Sequence, residues 1–355
     1  MMKVLIAMSG GVDSSVAAKL LCDEGYECIG CTMKLYDNCD AGLPRGRTCC
    51  SLDDVEDARS VAFSLGMRYY VFNFKDDFRE KVIKKFASGY LRGQTPNPCI
   101  DCNRYMKFDK LFERAKLLGC DKIATGHYAR IEFDGRKYRL KKALDKSKDQ
   151  SYVLYMLTQE QLAHTLFPLG SLHKTDTRAI ADTAGLSSAH KPDSQDICFV
   201  PDGDYAAAIE RLTGEKAPCG DFIDASGKIL GTHRGITHYT VGQHRGLGLS
   251  LPERRYVCGI DAESGTVTLG GSDELYSSTA EVHGFNWISG ETPSEPIRCT
   301  AKIRYRQPEQ PATAIAHKDG SITIQFDAPQ RAVTPGQAAV LYDGDTVLGG
   351  GEIVR

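Results

Sequence analysis

The segment from Val4 to Ala18 limits what this chain can fold into more than any other stretch. Apolar residues from Val4 to Met8 lead into Ser-Gly-Gly-Val-Asp-Ser at residues 9–14, after which apolar residues recur at helical spacing. The two glycines allow a tight turn and bring backbone N–H groups against a ligand. The N-terminus of the following helix adds the positive end of its dipole. The segment therefore predicts a strand, an anion-binding loop and a helix.

The loop at residues 9–14 has no lysine after its second glycine, which a Walker-type phosphate loop would require. It is similar instead to the pyrophosphate-binding loop of the ATP-pyrophosphatase families. That resemblance implies adenylation of a carbonyl oxygen with release of pyrophosphate. A Gly-Ser turn before an amphipathic helix is the alternative, and the strand before the loop favours the nucleotide site.

Size and charge restrict the organisation of the chain. Its 355 residues exceed the usual size of a single core, so we expect two or three domains. Lysine and arginine (44) nearly balance aspartate and glutamate (46), so a polyanion would have to bind a local basic patch. The N-terminus resembles no signal peptide and no segment approaches the length of a membrane span. This predicts a cytoplasmic protein with no membrane partner.

Strands and helices alternate in the first half of the chain. The predicted strands after the first are Glu27–Met33, Tyr69–Phe74 and Lys122–Thr125, and this order implies a parallel sheet covered on both faces. Ligands gather at the carboxyl ends of such strands. Met33 ends the second strand there, where its thioether could contact an adenine ring or be ordinary core, and Gly126 follows a later strand.

The chain has 13 cysteines, and a disulfide scaffold is not expected in the cytosol. Two prolines predict a stiff, non-helical loop over residues 95–103, where Cys102 lies close to Arg104 and Lys107. A thiol near a helix N-terminus and cations ionises readily, which makes Cys102 a candidate nucleophile. As a C-x-x-C pair, Cys99 and Cys102 could equally be half of a zinc or iron–sulfur site.

The other cysteines carry weaker signals. Cys198 lies between Ile197 and Phe199, an apolar setting that favours a buried, inert thiol. Only a second cysteine with catalytic character, Cys102, raises the alternative that Cys198 reacts. Three more precede Ser51, the predicted N-cap of a helix, and we interpret them as structural or incidental unless a metal is found: Cys39, Cys49 and Cys50.

Two regions suggest contact with RNA. A hairpin is predicted over residues 128–142. The hairpin and the residues just after it are rich in cations, namely Arg136, Lys137, Arg139, Lys141, Lys142, Lys146 and Lys148. Charge runs are usually solvated surface, but beside an adenylating loop they favour a phosphate backbone. Beyond Pro201, short β-rich runs predict one or two small antiparallel barrels. At one strand end Arg304, Tyr305 and Arg306 offer cations and a ring suited to phosphate and base contact.

Several motifs together resemble the bacterial tRNA-specific 2-thiouridylases, and the matches span nearly the whole chain. They are S-G-G-V-D-S at 9–14, T-P-N-P-C-I-D-C-N at 95–103, A-T-G-H-Y-A-R at 124–130, K-D-Q-S-Y at 148–152, S-Q-D-I-C-F at 194–199 and K-I-R-Y-R-Q at 302–307. The resemblance implies an α/β adenylating domain with a parallel sheet of the ATP-pyrophosphatase type (residues 1–200), a small β-rich central domain (201–275) and a C-terminal β-barrel (276–355).

The same resemblance implies a reaction and its residues. The wobble uridine of tRNA would be adenylated on its 2-oxygen and then receive sulfur from a cysteine persulfide. Cys102 corresponds to the nucleophile and Cys198 to the persulfide carrier. ATP, with Mg²⁺, would contact Ala7, Met8, Ser9, Gly10, Gly11, Val12, Asp13, Ser14, Met33 and Gly126. The tRNA anticodon arm would contact Asn97, Pro98, Cys99, His127, Lys148, Asp149, Gln150, Arg304, Tyr305 and Gln337. A cysteine desulfurase or sulfur-relay protein would supply the persulfide.

One position departs from the family pattern. Many members carry an aspartate where this chain has Cys99, so either Asp101 supplies the carboxylate or Cys99 is itself functional. We hypothesise that Cys99, Cys102 and Cys198 bind an iron–sulfur cluster with one open iron. Two other functions stay open: an ATP-dependent amidating ligase with the same loop, and a nucleotide-regulated RNA-binding or metal-sensing protein without catalysis.

Overall fold

The computed structural model describes residues 1–36, 52–192, 197–200 and 202–354. Its N-terminal half contains the strands β1 (Lys3–Ala7), β2 (Glu27–Lys34), β3 (Arg68–Asn73), β4 (Lys122–Ala124), β5 (Ala129–Phe133), β6 (Tyr138–Lys142) and β7 (Thr165–Leu166). Five of them form a parallel sheet in the order β3-β2-β1-β4-β7. The carboxyl ends of β1, β2 and β4 therefore lie side by side at the middle of one sheet edge.

Helices cover both faces of this sheet. They are α1 (Val12–Asp23), α2 (Leu52–Ser64), α3 (residues 75–91), α4 (residues 98–117), α5 (Gln159–Ala163), α6 (Lys174–Thr183) and α7 (Tyr205–Thr213). Short 3₁₀ turns occur at Ser151–Leu154, Ile236–His238 and Asp273–Leu275. One core packs α1, α2 and α6 against β1, and a second packs α4 and the Ser151–Leu154 turn against the opposite face. The sheet is thus buried on both sides, as its apolar strands predict.

Two β domains follow. The central one holds β8 (Gly220–Ile223), β9 (Ile229–His233), β10 (Tyr256–Asp261) and β11 (Thr266–Gly270) in the order β10-β11-β8-β9. The last holds β12 (Tyr276–Trp287), β13 (Ile297–Lys302), β14 (Gln310–Ala316), β15 (Ile322–Arg331), β16 (Ala338–Asp343) and β17 (Thr346–Ile353). Pairing of β12 with β17 closes these strands into a barrel. The expected architecture of α/β domain, small β-rich domain and C-terminal barrel is confirmed.

The predicted basic hairpin is part of the contact between the N-terminal domain and the barrel. It consists of β5 and β6, and β6 adds to the barrel strand β17 through Lys141 and Thr346. Several of its cations form intramolecular ion pairs, among them Lys137 with Glu291 at 2.7 Å and Lys142 with Glu309 at 2.7 Å. The hairpin therefore joins the N-terminal domain to the barrel. Its binding of RNA stays a prediction.

The stretch around Cys102 differs from its predicted loop conformation. Helix α4 begins at Pro98 and continues without a break through residue 117, with π-helical winding over Cys102–Lys110. Proline is tolerated at the first position of a helix because that N–H has no intrahelical partner. The Asn97 side chain caps the helix by accepting a hydrogen bond from the Cys99 N–H at 3.1 Å. The prediction of a non-helical loop is therefore correct only as far as Asn97.

The apolar stretch Val153–Leu157 predicts a helix, and the structure instead has a 3₁₀ turn at Ser151–Leu154. Ser51 and the cysteines Cys39, Cys49 and Cys50 lie outside the described residues, as do residues 193–196 of the motif around Cys198. Within the described chain, no helix has the length and apolar character needed to cross a membrane.

Candidate active site

The loop at residues 9–14 is held in one conformation by its own side chains. The Ser14 hydroxyl donates to the Gly11 carbonyl at 3.1 Å and accepts from the Ser9 N–H at 3.1 Å. Gly10 has a φ of +75°, and a Cβ there would collide with the Asp54 carbonyl. Helix α1 begins directly after Gly11, so the loop presents backbone N–H groups at a helix N-terminus, as an anion site requires.

Two groups beside the loop fix its acidic residue. Lys174, at the start of α6, donates to both carboxylate oxygens of Asp13 at 2.6 and 2.8 Å. The Tyr128 hydroxyl donates to the same carboxylate at 2.9 Å. On the neighbouring strand end, Gly126 packs so closely that a Cβ would lie 2.8 Å from Asp13 C and Ser14 N. Gly126 is therefore needed for the close approach of β4 to the loop.

A cavity of about 540 Å³ opens from this loop. It brings together residues from the nucleotide loop, both candidate cysteines and several residues predicted to contact tRNA. The predicted residues that line it are Ala7, Met8, Ser9, Asp13, Ser14, Met33, Asn97, Pro98, Cys99, Cys102, Gly126, His127, Gln150, Cys198 and Tyr305. The predicted residues outside its lining are Gly10, Gly11, Val12, Lys148, Asp149, Arg304 and Gln337. Such a size accommodates a nucleotide together with a second group.

The two candidate cysteines reach the cavity from different supports. Cys102 lies in the second turn of α4 and is partly buried. Cys198 lies in a short turn whose backbone carbonyl accepts a hydrogen bond from the Tyr36 hydroxyl at 2.8 Å. Its neighbour Phe199 is buried between Phe78 and Phe86, with ring centroids 5.8 and 5.4 Å away. Phe199 thus anchors this segment in the core, and both Phe199 and the partly buried Cys198 line the cavity.

Asp101 does not stand beside Cys99 in the cavity. It is buried on another side of α4, lines an adjacent cavity of about 260 Å³ and pairs with Lys85 at 2.8 Å. Burial raises the pKa of its carboxyl, and Lys85 opposes that shift. Among the described lining residues of the larger cavity, Asp13 is the one carboxylate. The geometry thus gives Asp101 no direct access to a substrate held between Cys99 and Cys102.

An iron–sulfur cluster on the three cysteines would require their thiols to lie close together. Cys99, Cys102 and Cys198 all line the cavity. Within the described part of the chain, however, no three His, Cys, Asp or Glu side chains come close enough together to hold a metal ion. The three thiols therefore do not fit an iron–sulfur cluster in this conformation, and we derive no reaction step through one.

His127 is buried in the wall of the cavity with both ring nitrogens engaged. Its Nε2 lies 3.3 Å from Lys107 Nζ and its Nδ1 lies 2.7 Å from Thr125 Oγ1. Burial and the Lys107 charge lower the pKa of His127 well below its usual value, so the ring is neutral. Direct contact of His127 with tRNA stays a prediction, and its established partners are Lys107 and Thr125.

Two other residues predicted to contact tRNA make hydrogen bonds between domains, and their contact with tRNA stays a prediction. The Arg304 guanidinium donates to Val241 O of the central domain at 3.0 Å and to Thr334 Oγ1 of the barrel at 2.6 Å. Gln337 donates from Nε2 to the Thr95 carbonyl at 2.5 Å. We call Arg304, Gln337 and the groups they bind the interdomain clasp. It secures the chain just before α4 and Cys102.

The Lys148–Gln150 segment is largely committed to its own turn. The Asp149 carboxylate accepts hydrogen bonds from the N–H groups of Ala143 and Ser151. Gln150 accepts from the Tyr128 N–H at 3.0 Å and lines the cavity. Tyr305, next to Arg304 in the chain, donates to the Asp149 carbonyl at 3.4 Å and has 38% of its surface exposed. Of these residues, Tyr305 and Gln150 line the cavity, and tRNA contact by Lys148 and Asp149 stays a prediction.

Sequence reasoning missed part of the cavity wall. Lys107 was considered only for its charge near Cys102, and Asn103 and Thr125 lie in the quoted motifs but received no role of their own. The apolar wall residues that received no role in the site are Leu35, Phe78, Val82, Val153, Ile197 and Tyr205. The sequence shows Lys107 five residues after the candidate nucleophile Cys102. In an α-helix, residues five apart do not lie on the same face, so this spacing did not place Lys107 beside Cys102.

Comparisons with known proteins agree along the whole chain. Residues 2–202 match the family model described as tRNA methyl transferase HUP domain, residues 208–271 the tRNA methyl transferase PRC-barrel domain and residues 277–353 the Aminomethyltransferase beta-barrel domain. A tRNA-specific 2-thiouridylase MnmA of Acetivibrio thermocellus is 52% identical, with 99% of each chain covered. Another of Clostridioides difficile is 49% identical, covering 99% of this chain and 98% of its own.

Solved structures show a more distant likeness. A 4-thiouridine synthetase in complex with RNA and bound ATP is 19% identical, with a TM-score of 0.38 over 56% of this chain and 45% of its own. An NMN synthetase from Francisella tularensis is 16% identical, with a TM-score of 0.35 over 61% of this chain and 78% of its own.

Proposed function

This chain belongs to the tRNA-specific 2-thiouridylase family, and we propose that it thiolates the wobble uridine of tRNA by adenylation followed by transfer of persulfide sulfur. The observation that carries the proposal is the single cavity shared by the pyrophosphate loop, Cys102 and Cys198. An activating site and two thiols in one cavity suit a reaction that first activates a carbonyl and then delivers sulfur to the same carbon.

In the first step the uracil 2-oxygen attacks the α-phosphorus of ATP. An O–P bond forms, the bond from the α-phosphorus to the bridging oxygen breaks, and pyrophosphate leaves with the electron pair while the uracil N3 proton passes to solvent. Backbone N–H groups of the loop at residues 9–14 would bind the departing pyrophosphate. Mg²⁺ would enter with ATP, since Asp13, the one carboxylate in the described wall, is already paired with Lys174.

In the second step the terminal sulfur of a Cys198 persulfide attacks carbon 2 of the uracil. A C–S bond forms, the C–O bond to AMP breaks, and AMP leaves with the electron pair. Cys102 as thiolate then attacks Cys198 Sγ, which gives a Cys102–Cys198 disulfide and leaves sulfur on the uracil as a thiolate that takes up a proton. A thiol reductant resets the disulfide. Cys102 could instead assist the attack of the persulfide, and the two routes differ in whether a disulfide accumulates.

The partners follow from this chemistry. The anticodon arm must present its uridine unstacked, because the reacting carbon has to enter the cavity. Tyr305, Asn97 and Cys99 line the cavity and are the proposed contacts for the base. The persulfide on Cys198 would come from a cysteine desulfurase or a sulfur-relay protein. A cytoplasmic location follows for an enzyme that acts on tRNA, and we propose it on that ground.

Incubation of the full chain with unmodified tRNA, ATP and a persulfide donor tests the proposal, with nucleoside mass spectrometry as the readout. We expect one 2-thiouridine per tRNA from the wild type and none from Cys102→Ser or Cys198→Ser. Cys219→Ser is the matched control, because Cys219 is exposed and lies outside the cavity. Absence of thiouridine with every competent donor contradicts the proposal.

The same assay separates the alternatives. Unchanged ATP turnover in both cysteine variants would favour an amidating ligase, and no pyrophosphate release with tRNA present would favour a non-catalytic RNA-binding protein. Anaerobic purification tests the cluster hypothesis. An iron-free protein that is fully active with a persulfide donor would exclude it, whereas iron-dependent activity would support it.

A further inference from the structure

Lys107 is a cation in the cavity wall that the proposed reaction has not yet used. Among the described lining residues, the lysine and arginine side chains are Lys107 and Arg306. No carboxylate among the described residues lies within ion-pair distance of the Lys107 ammonium. A partly buried cation beside a nucleotide loop, with no protein carboxylate against it, is suited to an anion supplied by a ligand.

The hydrogen bonds around Lys107 fix where its charge lies. An ammonium can only donate, so His127 Nε2 must accept from it at 3.3 Å. The ring proton is then on Nδ1 and is donated to Thr125 Oγ1 at 2.7 Å. His127 and Thr125 are buried, so these contacts fix the position of the Lys107 ammonium. One of its three N–H groups is bonded to His127, and the other two point in other directions.

Two features connect Lys107 to the nucleotide loop and to the candidate nucleophile. His127 directly follows Gly126, whose backbone packs against Asp13 and Ser14 of the loop. The helix that carries Lys107 has π-helical winding from Cys102 to Lys110, with the Leu111 N–H bonded to the Met106 carbonyl. Hydrogen bonds to the fifth preceding residue bring side chains five apart onto one face. This winding explains why Cys102 and Lys107 line the same cavity.

We propose that Lys107 binds the α-phosphate of ATP during adenylation and that His127 is the positioning residue for it. The inference rests on the proposed function and adds a catalytic group to it. When the uracil oxygen attacks and pyrophosphate leaves, negative charge on the non-bridging α-phosphate oxygens is best stabilised by a cation already held in place. Lys107 donates to these oxygens and is neither protonated nor deprotonated in the step.

The test measures single-turnover release of pyrophosphate with unmodified tRNA, together with ATP affinity at equilibrium. We expect Lys107→Met to slow release about 100-fold, as loss of one preorganised donor does in other enzymes, while ATP affinity changes less than about 5-fold. Lys107→Arg should recover part of the rate because it keeps the charge. The control is Lys110→Met on the same helix, whose ammonium pairs with Asp77 at 3.5 Å outside the cavity, and it should match the wild type.

His127 gives an independent variant if Lys107→Met does not fold. His127→Leu removes the acceptor and should lower kcat about 10-fold with little change in KM for ATP, whereas His127→Gln, which can still accept, should lose less. The inference is overturned if Lys107→Met releases pyrophosphate at a rate within 3-fold of the wild type. It is also overturned if the rate of release and the affinity for ATP fall by the same factor. If the wild type releases no pyrophosphate with tRNA, the proposed function fails and this inference fails with it.

Discussion

The cavity wall and the interdomain clasp contain residues that are neighbours in the sequence yet differ in what surrounds them. Tyr305 lines the cavity and is partly exposed, whereas Arg304 is directed away from it onto three protein oxygens. Likewise Asn97 faces the cavity, and Thr95, two residues earlier, is bound by Gln337. One short motif can therefore place one residue at the reaction site and the next in the contact between domains. Substitutions should therefore separate into those that alter turnover and those that alter stability.

The largest effect on the reaction rate is expected at Gly126, where the backbone packs against the nucleotide loop with no room for a side chain. Gly126→Ala would place a Cβ 2.8 Å from Asp13 C and Ser14 N, so the nucleotide loop or β4 must move. Because a displacement of about 1 Å can cost 100-fold in rate, we expect pyrophosphate release to fall by about that factor. Gly259→Ala is the control, since its Cβ would meet only Thr268 at 3.9 Å. Wild-type kinetics in Gly126→Ala would show that the loop tolerates the shift.

The next prediction compares Arg304 and Tyr305 directly. Arg304→Ala removes a donor from Val241 O, Ala332 O and Thr334 Oγ1, of which Ala332 O still accepts from Thr334 Oγ1, and we expect a loss of about 2–3 kcal/mol in unfolding free energy. Tyr305→Ala should change stability by less than about 1 kcal/mol, because the ring is partly exposed, but should weaken tRNA binding. Urea unfolding and tRNA affinity measure the two effects. The reverse pattern would mean that Arg304 contacts RNA and Tyr305 holds the fold.

Gln337 should give a smaller and mixed effect. Its side chain makes one hydrogen bond to the Thr95 carbonyl, next to the Thr95 N–H that donates to Pro335 O at 2.8 Å. Gln337→Ala should therefore cost about 1 kcal/mol in unfolding free energy and lower kcat a few-fold, because the start of α4 is less firmly held. Gln310→Ala, at an exposed hydrogen bond on the barrel, is the control. Loss of tRNA affinity alone would instead favour a direct contact by Gln337.

The sequence was sufficient where the signal is local. Residues 4–18 predict a strand, a loop and a helix because glycine, serine and apolar periodicity act within a few residues, and the structure has β1 and α1 there. The order of strands and helices predicts the parallel sheet for the same reason. Pro98 shows the limit of a local rule. Proline disfavours the interior of a helix but suits its first position, and only the Asn97 cap decides between the two.

The rest depends on packing between distant segments. Which of Arg304 and Tyr305 faces the cavity depends on how the central domain meets the barrel, and no feature of K-I-R-Y-R-Q specifies that contact. The shared face of Cys102 and Lys107 depends on π-helical winding, which residue periodicity does not predict. Asp101 was a reasonable substitute carboxylate by proximity in sequence. In the structure, however, Asp101 lies on a side of α4 where its carboxylate pairs with Lys85.

The smallest predicted effect is on the pH dependence of stability, and it comes from the buried His127. Its pKa in the folded protein is well below the unfolded value of about 6.5, so only the unfolded chain takes up this proton as the pH falls. The resulting stability is complete above pH 6.5 and decreases below it, by about 1 kcal/mol at pH 6. The stability difference between wild type and His127→Gln should therefore shift by that amount between pH 7.5 and 6. Parallel urea-unfolding curves for wild type and His127→Gln would instead mean that His127 can be protonated in the folded cavity wall, beside Lys107.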